Sequence, residues 1–369
     1  MKVVLAGGHL TPALAVLEAL PKDTSVVYVG RKYALEGDAA LSLEYQTISA
    51  LAIPFVGLRA ARLQRKLTRH TLASLLRFPA GLYRAVLILR NENPDVVVSF
   101  GGYIGFTLSL AAYLCRLPFV IHEQTMDAGL ANKITGKFAD AICISWNSSR
   151  RYFPAKKTRL TGNPLRKSFF QDVSGVSPDK SDPFIYVTGG SLGSHAINVL
   201  VEKSLSTLLG KFRVIHQTGD ARQFGDFDRL KKARDDLPKQ LAGRYTLVRF
   251  VLPHEVGPYM AQASLVISRS GINTVTELLY LGKPCLLIPL PHGQRGEQRR
   301  NASFVKEIGI GEVLEQEFLT EERFSEQVIC MMENLDDFLD HSAQAHKQIP
   351  VKAAEQIVEV IERVVAKKT

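Results

Sequence analysis

The chain has 369 residues, of which 46% are hydrophobic and 22% charged, and its formal net charge is +10 at pH 7. Such a composition indicates a globular protein of about two domains and excludes disordered and collagen-like classes. The four cysteines are widely spaced without a C-x-x-C pair, so we expect neither a disulfide framework nor a metal site. This pattern is typical of a protein from a reducing compartment.

Short β-branched runs alternate with helical segments, which predicts parallel sheets covered by helices. The predicted strands of the first half are KVVLA, SVVYVG, DVVVSF, PFVIH, DAICIS and KTRLTG. Those of the second half are FIYVTGG, FRVIHQTG, YTLVRF, SLVISRSG and PCLLIPL. Helices are predicted between them, for example over 194–209, 274–281 and 298–308. The longest apolar stretch, 104–121, is interrupted by Arg116 and Pro118, which favours a helix and a strand over a membrane span.

The predicted fold class is α/β, with two Rossmann-like domains whose parallel sheets face each other across a cleft. We predict an N-terminal domain over 1–168, a linker over 169–183 that is rich in Ser, Pro, Gly and Asp, and a C-terminal domain over 184–350. Residues 351–369 form an amphipathic pattern, predicted as a helix that packs back on the domains. We see no secretory signal pattern and expect a soluble, cytoplasmic protein. Ligands of such sheets bind outside the carboxyl ends of the strands.

Glycines follow several of these predicted strands. Pairs occur at Gly7-Gly8, Gly101-Gly102 and Gly189-Gly190, and Arg269-Ser270-Gly271 ends a fourth strand. Glycine permits positive φ and close approach of a ligand, and a helix that begins there favours an anion. The alternative is an ordinary tight turn. Neither G-x-G-x-x-G with a following acid nor G-x-x-x-x-G-K-[ST] occurs, so NAD and ATP are poorly supported.

The segment 269–291, RSGINTVTELLYLGKPCLLIPLP, has more specific chemistry. Thr274 and Glu277 lie near the start of a helix that follows a strand end. A carboxylate there can accept two hydrogen bonds from a diol such as a ribose, while N–H groups and Thr274 hold a phosphate. The alternative is that both residues only cap the helix. Capping does not explain the glycine or the PHGQRGEQRRNA loop that follows.

Taken together, eight segments resemble the MurG family of glycosyltransferases. In chain order they are AGGHLTPALA, SFGGY, FVIHEQTMDAGLANK, TGNPLR, VTGGSLGS, HQTG, RSGINTVTELLYLGKP and EQRRNA. The resemblance implies a GT-B fold with an acceptor-binding N-terminal domain and a C-terminal domain that binds UDP-N-acetylglucosamine. It further implies inverting transfer of N-acetylglucosamine to lipid I, giving lipid II for peptidoglycan, without a cofactor or a bound catalytic metal.

The resemblance also assigns the donor site. It implies that Ser191 meets the diphosphate, Glu277 the ribose and Gln298 the sugar hydroxyls, with Val251 against the uracil and Arg166 near the donor at the domain junction. Thr274 and the backbone of the two residues before it are implied near phosphate and sugar. The full predicted donor set is Arg166, Gly190, Ser191, Phe250, Val251, Arg269, Ile272, Asn273, Thr274, Val275, Thr276, Glu277 and Gln298.

In the acceptor domain the resemblance makes His9 the candidate general base, because an imidazole near its ordinary pKa suits base catalysis at neutral pH. The alternative is a histidine that only bonds a helix end. Gly7 and Gly8 are expected to form an anion-binding turn for the acceptor's diphosphate. The full predicted acceptor and phosphate set is Gly7, Gly8, Gly102, Tyr103, His122, Glu123, Thr125 and Asn132.

The sequence departs from the family pattern where acceptor and sugar bind. The first loop, usually G-G-T-G-G-H, is shortened to Ala6-Gly7-Gly8-His9, and the usual H-E-Q-N ends in Thr125. Leu192 replaces a glutamine, and the usual Gln-Gln pair is Glu297-Gln298. These changes leave open a related transferase with another glycolipid acceptor or UDP-sugar, and a nucleotide-sugar-binding scaffold without turnover.

Between Tyr45 and Asn91 the chain has no Asp or Glu but eight Lys and Arg residues. We predict that this stretch attaches the protein to the anionic cytoplasmic face of the plasma membrane, where each basic residue contributes about 1 kcal/mol. A cell-wall synthesis complex is a further implied partner. For the basic stretch, the alternatives to membrane attachment are an ordinary solvated face and a nucleic-acid-binding surface. We do not expect nucleic-acid binding, because the sequence contains no recognised nucleic-acid-binding module. The predicted membrane residues are Arg59, Arg62, Arg65, Lys66, Arg69, Leu75, Leu76, Phe78, Leu82 and Tyr83.

Overall fold

The computed structural model describes residues 1–33, 41–60, 69–171, 181–190, 192–219, 224–252, 255–293 and 296–367, and only the backbone of 69–77, 168 and 171. The chain divides into two compact units. Unit 1 is Met1–Arg166 together with Pro350–Thr369, and unit 2 is Lys167–Ile349.

Each unit contains one parallel β-sheet. The strands of unit 1 are β1 (Lys2–Ala6), β2 (Ser25–Gly30), β3 (Phe55–Gly57), β4 (Val96–Ser99), β5 (Phe119–Glu123), β6 (Ala141–Ile144) and β7 (Thr158–Leu160). Those of unit 2 are β8 (Phe184–Thr188), β9 (Arg213–Gln217), β10 (Tyr245–Val248), β11 (Leu265–Ser268), β12 (Cys285–Leu287) and β13 (Gly311–Val313). Over the described residues the strand orders are β3-β2-β1-β4-β5-β6-β7 and β10-β9-β8-β11-β12-β13. The order therefore reverses beside β1 and beside β8, where α/β sheets bind ligands.

The helices cover both faces of these sheets. Those up to residue 135 are α1 (Leu10–Ala19), α2 (Leu43–Ala50), α3 (Arg69–Glu92), α4 (Gly102–Leu114) and α5 (Leu130–Thr135). Unit 2 contributes α6 (Lys167–Gln171), α7 (His195–Lys211), α8 (Asp226–Asp235), α9 (Lys239–Ala242), α10 (Val256–Gln262), α11 (Ile272–Leu281), α12 (Glu297–Ile308), α13 (Glu321–Glu333), α14 (Leu335–Leu339) and α15 (Ser342–His346). The last helix is α16 (Ala353–Ala366).

The sheet of unit 1 is buried on both faces, which explains its continuous apolar strands. On one face Val4 packs with Leu89 of α3 and Leu108 of α4. On the opposite face Leu5 packs with Ile361 of α16. Full burial of each such side chain stabilises the fold by about 1.5–3 kcal/mol. The C-terminal helix is therefore a structural part of unit 1.

The core of unit 2 is built in the same way. Ile197 and Val201, one turn apart on α7, pack with Val187 of β8 and with Phe324 and Val328 of α13. All five side chains are buried. The helical spacing of the apolar residues on α7 and α13 therefore matches a single face directed at the sheet.

The predicted α/β class with two parallel-sheet units is confirmed. Two three-residue edge strands, β3 and β13, were not predicted because they are too short to show a pattern. Residues 169–171, predicted as linker, belong to α6, where Phe170 packs edge-on against Tyr280, and 172–180 lie outside the described residues. Among the described helices, none is long and apolar enough to cross a membrane.

Candidate functional site

In unit 1 the turns after β1 and β4 touch each other. A Cβ added to Gly8 would lie 2.2 Å from the carbonyl oxygen of Gly101, so only glycine fits at position 8. Positive φ occurs at Gly101 (81°) and Gly102 (69°), whereas Gly7 and Gly8 do not have it. The expectation of a positive-φ turn at the first glycine pair is therefore wrong, and close backbone approach is the reason for Gly8.

The N–H of Gly7 is already used within the sheet. It donates to the carbonyl oxygen of Val29 at 2.7 Å. In addition, a Cβ at Gly7 would lie 3.3 Å from Oε2 of Glu44, a buried carboxylate. An anion at this turn would thus have to use N–H groups other than that of Gly7. The role of Gly7 and Gly8 in binding the acceptor's diphosphate stays a prediction.

His9 is the N-cap residue of α1 and its side chain makes no capping hydrogen bond. The alternative of a histidine that only caps a helix is therefore not supported. Desolvation by the surrounding protein lowers the pKa of His9, although the residue keeps exposed surface, so that water still competes with this effect. A lowered pKa leaves the imidazole neutral at pH 7, so it can accept a proton, and its role as the general base stays a prediction.

The loop after β5 is organised by Glu123. Oε1 of this carboxylate accepts from the backbone N–H (2.9 Å) and the hydroxyl (2.5 Å) of Thr125. Oε2 accepts from the N–H of Gly129 (2.9 Å) and from Nδ2 of Asn132 (3.0 Å). Glu123, Thr125 and Asn132 are all buried. The predicted acceptor residues of this loop therefore bond to one another, and their direct contact with an acceptor stays a prediction.

His122 lies inside unit 1, with 1% of its surface exposed. Its Nε2 lies 3.0 Å from the hydroxyl of Ser145 and 3.4 Å from the carbonyl oxygen of Gly162. Burial lowers the pKa of His122 to about 4. Direct binding of the acceptor by this ring conflicts with its burial, which is a correction to the predicted set. Tyr103 is partly buried and packs against the core.

The Glu123 loop adjoins the β4 turn, because a Cβ on Gly101 would lie 3.3 Å from Nδ2 of Asn132. The carboxyl edge of the sheet thus brings Gly8, His9, Gly101 and Gly102 together, with Asn132 beneath them. Of these, Gly8, His9 and Gly102 keep exposed surface. Unit 1 therefore presents a glycine-lined edge with one neutral imidazole.

In unit 2 the turn after β8 contains two glycines with positive φ, Gly190 (82°) and Gly193 (79°). Nothing lies within 4 Å of a Cβ added to Gly190, whereas one on Gly193 would lie 1.9 Å from the carbonyl oxygen of Thr218. Gly190 thus borders open space and Gly193 packs on the neighbouring turn. The predicted diphosphate ligand Ser191 lies outside the described residues.

The start of α11 is open toward solvent. Its N-cap residue is Gly271, which supplies no side-chain cap, and nothing lies within 4 Å of an added Cβ there. The first-turn N–H groups of such a helix favour an anion. Asn273 and Thr274 are partly exposed in this turn, and Glu277, 8% exposed, lies in the second turn, too far along to cap the helix end.

Three predicted donor residues of α11 face the interior instead. Ile272, Val275 and Thr276 are buried, with 4%, 0% and 0% of their surface exposed. The hydroxyl of Thr276 donates to the carbonyl oxygen of Ile272 at 2.8 Å. Donor contacts through the side chains of Val275 and Thr276 are therefore excluded, because the helix turns those positions toward the core.

Gln298 stabilises the loop after β12. Its Oε1 accepts from the N–H of Leu290 at 2.9 Å, and its carbonyl oxygen accepts from the hydroxyl of Ser270 at 2.8 Å. Asn301 completes this network, since its Nδ2 donates to the carbonyl oxygen of Ser270 at 3.0 Å. We did not single out Asn301 from the sequence, although the quoted EQRRNA segment contains it.

Three further predicted donor residues lie outside α11 and the loops beside it. Phe250 is 37% exposed and Val251 is 3% exposed, in the segment after β10. Arg166 is the last residue of unit 1. The described residues contain no cluster of three His, Cys, Asp or Glu side chains that could hold a metal ion.

Comparison with known proteins identifies the family. Residues 5–144 match the glycosyltransferase family 28 N-terminal domain, and residues 184–360 match the family 28 C-terminal domain. A relative from Treponema denticola is 33% identical over 322 residues, which cover 84% of this chain and 81% of the relative. The chain belongs to glycosyltransferase family 28. The predicted resemblance to the MurG family is thereby confirmed.

Other similarities agree with this family 28 assignment. A relative from Shouchella clausii is 32% identical over 339 residues, covering 89% of this chain and 90% of the relative. Both relatives carry the name UDP-N-acetylglucosamine–N-acetylmuramyl-(pentapeptide) pyrophosphoryl-undecaprenol N-acetylglucosamine transferase. The crystal structure of Acinetobacter baumannii MurG superimposes with a TM-score of 0.70 at 24% identity, covering 98% of this chain and 99% of that one, which shows the shared fold.

Proposed function

We propose that this family 28 enzyme transfers N-acetylglucosamine from UDP-N-acetylglucosamine to N-acetylmuramyl-(pentapeptide) pyrophosphoryl-undecaprenol. The proposal is carried by the similarity to relatives of that name over more than four fifths of their length. The product is the lipid-linked disaccharide of peptidoglycan. The enzyme would act at the cytoplasmic face of the plasma membrane, as a peripheral protein and a member of a cell-wall synthesis complex.

The donor is assigned to unit 2. The N-terminus of α11, which has no side-chain cap, presents backbone N–H groups for the diphosphate, and the open space beside Gly190 leaves room for it. Glu277, one turn further along α11, supplies a carboxylate for the ribose hydroxyls. This combination accommodates an anionic nucleotide with a diol, which agrees with a UDP-sugar.

The acceptor is assigned to the carboxyl edge of the unit 1 sheet, where His9 is the proposed base. The acceptor hydroxyl attacks the anomeric carbon of the donor sugar, and its proton passes to the neutral imidazole. The bond from that carbon to the phosphate oxygen breaks, and UDP leaves with the electron pair. A single displacement of this kind inverts the anomeric centre.

The charge that develops on UDP requires stabilisation in the transition state. Preorganised N–H groups at a helix N-terminus stabilise such a charge without reorganisation. Arg269, two residues before the N-cap residue Gly271 of α11, adds a fixed positive charge. We propose that these groups fulfil the role that a metal ion has in other transferases, so that the reaction does not depend on a divalent cation.

Membrane association is assigned to α3 and the segment before it. Arg59, Tyr83 and Arg84 are exposed, Tyr83 with 64% of its surface. A Cβ added to Gly81 would lie 3.2 Å from the carbonyl oxygen of Arg59. The absence of a side chain at position 81 therefore allows the backbone at Arg59 to pack closely against α3. Among the other predicted residues, Leu82 packs against the core. Phe78 is partly buried beside Phe106.

The side chains of the other predicted membrane residues lie outside the described part of the chain. Arg62, Arg65 and Lys66 lie outside the described residues, and for Arg69, Leu75 and Leu76 only the backbone is described. Leu87, one turn after Tyr83 on α3, is exposed and was not predicted. An apolar and basic helix surface of this kind is suited to an anionic leaflet.

The decisive experiment measures UDP release from UDP-N-acetylglucosamine with and without a lipid-linked muramyl-pentapeptide acceptor, in EDTA. We expect release that requires the acceptor and survives chelation. Tight binding of the UDP-sugar without acceptor-dependent release would contradict the proposed acceptor and favour another acceptor or a scaffold. Release that stops in EDTA and returns with Mg²⁺ would contradict the metal-independent mechanism alone.

The role of His9 is tested by His9→Ala. We expect nearly unchanged binding of UDP-N-acetylglucosamine and a kcat lower by about 10²–10⁴-fold, the usual contribution of a general base. Because the pKa of His9 is lowered, the acid limb of kcat/KM is expected below pH 6.5. Unchanged turnover in His9→Ala would remove this residue from the base role.

A further inference from the structure

Arg269 is a partly buried guanidinium in unit 2 whose hydrogen-bond partners are neutral. One terminal nitrogen, Nη1, donates to the carbonyl oxygens of Ile288 (2.9 Å) and Pro289 (3.3 Å). The other, Nη2, donates to Oε1 of Gln316 at 2.7 Å. Within the described part of the chain, no carboxylate forms an ion pair with Arg269. Burial lowers its pKa to about 10, so it keeps its charge at pH 7.

The absence of a carboxylate at Arg269 is not explained by a shortage of acidic residues nearby. Glu315 and Glu317, on either side of Gln316, both pair with Arg299, at 3.0 and 3.3 Å. Only the neutral residue between them reaches Arg269. In the local sequence Glu-Gln-Glu, the two carboxylates therefore pair with Arg299, and the amide between them bonds to Arg269.

Arg269 lies close in sequence to the N-terminus of α11, the proposed site of the diphosphate. It directly follows β11 and lies two residues before Gly271, the N-cap of α11. The helix dipole and the first-turn N–H groups already favour an anion at this end. A guanidinium whose charge is not cancelled by a protein carboxylate adds to the same positive potential.

We propose that Gln316 is a positioning residue that holds Arg269 through a neutral amide and so leaves the arginine's charge to the phosphates of a bound nucleotide diphosphate. The inference rests on the proposed function, because it places the diphosphate at the N-terminus of α11. A carboxylate at position 316 would hold the same geometry but would neutralise the site. Gln316 therefore sets affinity for phosphate rather than for the nucleoside.

The test compares Gln316→Glu with Gln316→Met, measuring binding of UDP and of uridine by calorimetry. Glutamate matches glutamine in shape but pairs with Arg269, whereas methionine removes the hydrogen bond and leaves the charge uncompensated. We expect Gln316→Glu to weaken UDP binding by about tenfold or more. Gln316→Met should lose less, and uridine binding should stay within about twofold of wild type in both.

Gln344→Glu, on the exposed surface of α15, is the matched control for an added negative charge and should bind UDP as wild type does. Gln316→Glu should also be at least as heat-stable as wild type, because it pairs a partly buried cation. A larger loss of UDP affinity in Gln316→Met than in Gln316→Glu would overturn the inference, as would equal losses for UDP and uridine. Wild type that binds no UDP would overturn the proposed function itself and the inference with it.

Discussion

Glu277 lies in the second turn of α11 with 8% of its surface exposed, and it is the proposed ligand of the donor ribose. We expect Glu277→Gln to weaken UDP binding by about 10–100-fold, since hydrogen bonds to a charged group contribute about 1.5–3 kcal/mol. A UDP analogue without the 2′ and 3′ hydroxyls should bind wild type and variant equally, because it lacks the groups that the carboxylate holds.

Calorimetric titration with UDP and this analogue measures both effects. Glu326→Gln, an exposed position on α13, serves as the control. Equal losses of affinity for UDP and for the analogue would show that Glu277 acts on the fold of α11 and not on the ribose.

Glu123 contributes in a different way, because four hydrogen bonds end on its two carboxylate oxygens. In Glu123→Gln one of these oxygens becomes an NH2 group, which faces N–H or O–H donors and leaves them unsatisfied. Each buried unsatisfied donor costs about 1–3 kcal/mol, so we expect the free energy of unfolding to fall by about 3 kcal/mol. Urea denaturation measures this change.

The control for that experiment is Glu362→Gln, an exposed position on α16 of the same unit, for which we expect a change within about 0.5 kcal/mol. If Glu123→Gln unfolded at the same urea concentration as wild type, the carboxylate would not be what organises the loop. Lost turnover at unchanged stability would instead indicate that Glu123 contacts the acceptor directly.

At the level of elements, α3 and the segment before it are proposed to attach the enzyme to anionic lipid. Arg59, Arg84 and Arg90 are exposed, and the triple change of these residues to Gln removes three positive charges. At about 1 kcal/mol for each, binding to anionic vesicles should weaken by ~100-fold. Co-sedimentation with phosphatidylglycerol vesicles measures the change, and the interaction should also weaken as salt is raised.

The matched control for α3 replaces Lys203, Arg323 and Lys347, three exposed basic residues of unit 2, with Gln. It has the same net charge as the α3 variant and should sediment with vesicles as wild type does. Equal losses in both variants would mean that only the overall charge matters. No loss in either variant would refute the assignment of the membrane surface to α3.

At the scale of the whole molecule, each unit contains a buried histidine whose pKa is lowered by burial, His122 to about 4 and His216 to about 3. The unfolded chain takes up a proton at each near pH 6.5, while the folded chain resists it. Stability is therefore lost as pH falls from about 6.5 toward 4, by up to ~1.4 kcal/mol per pH unit for each histidine.

Urea unfolding at pH 7, 6 and 5 tests this expectation. His122→Asn and His216→Gln should each reduce the pH slope by about one proton. A slope in either buried variant equal to that of wild type would show that the histidine concerned is protonated in the folded protein.

The strands, the glycine turns and the start of α11 were predictable from sequence because each depends on local patterns of apolar residues and glycine. The partners of the site residues were not, since they join positions distant along the chain. Glu123 and Asn132 lie in one sequence motif, but the motif does not show that Asn132 donates a hydrogen bond to Glu123 in the folded protein. Likewise, nothing in the sequence shows that Gln316, rather than a neighbouring glutamate, reaches Arg269.

The inclusion of α16 in unit 1 has a consequence for synthesis on the ribosome. Unit 2 is contiguous and can fold as soon as it has emerged, whereas unit 1 lacks the helix that covers Leu5 until residues 353–366 are made. At about 5–20 residues per second, the interval between the end of the first segment of unit 1 and its last helix is ~10–40 s. During that time the part of the first sheet that α16 covers stays open to water, so we expect the nascent chain to be a substrate for chaperones well after most of its N-terminal half has been translated.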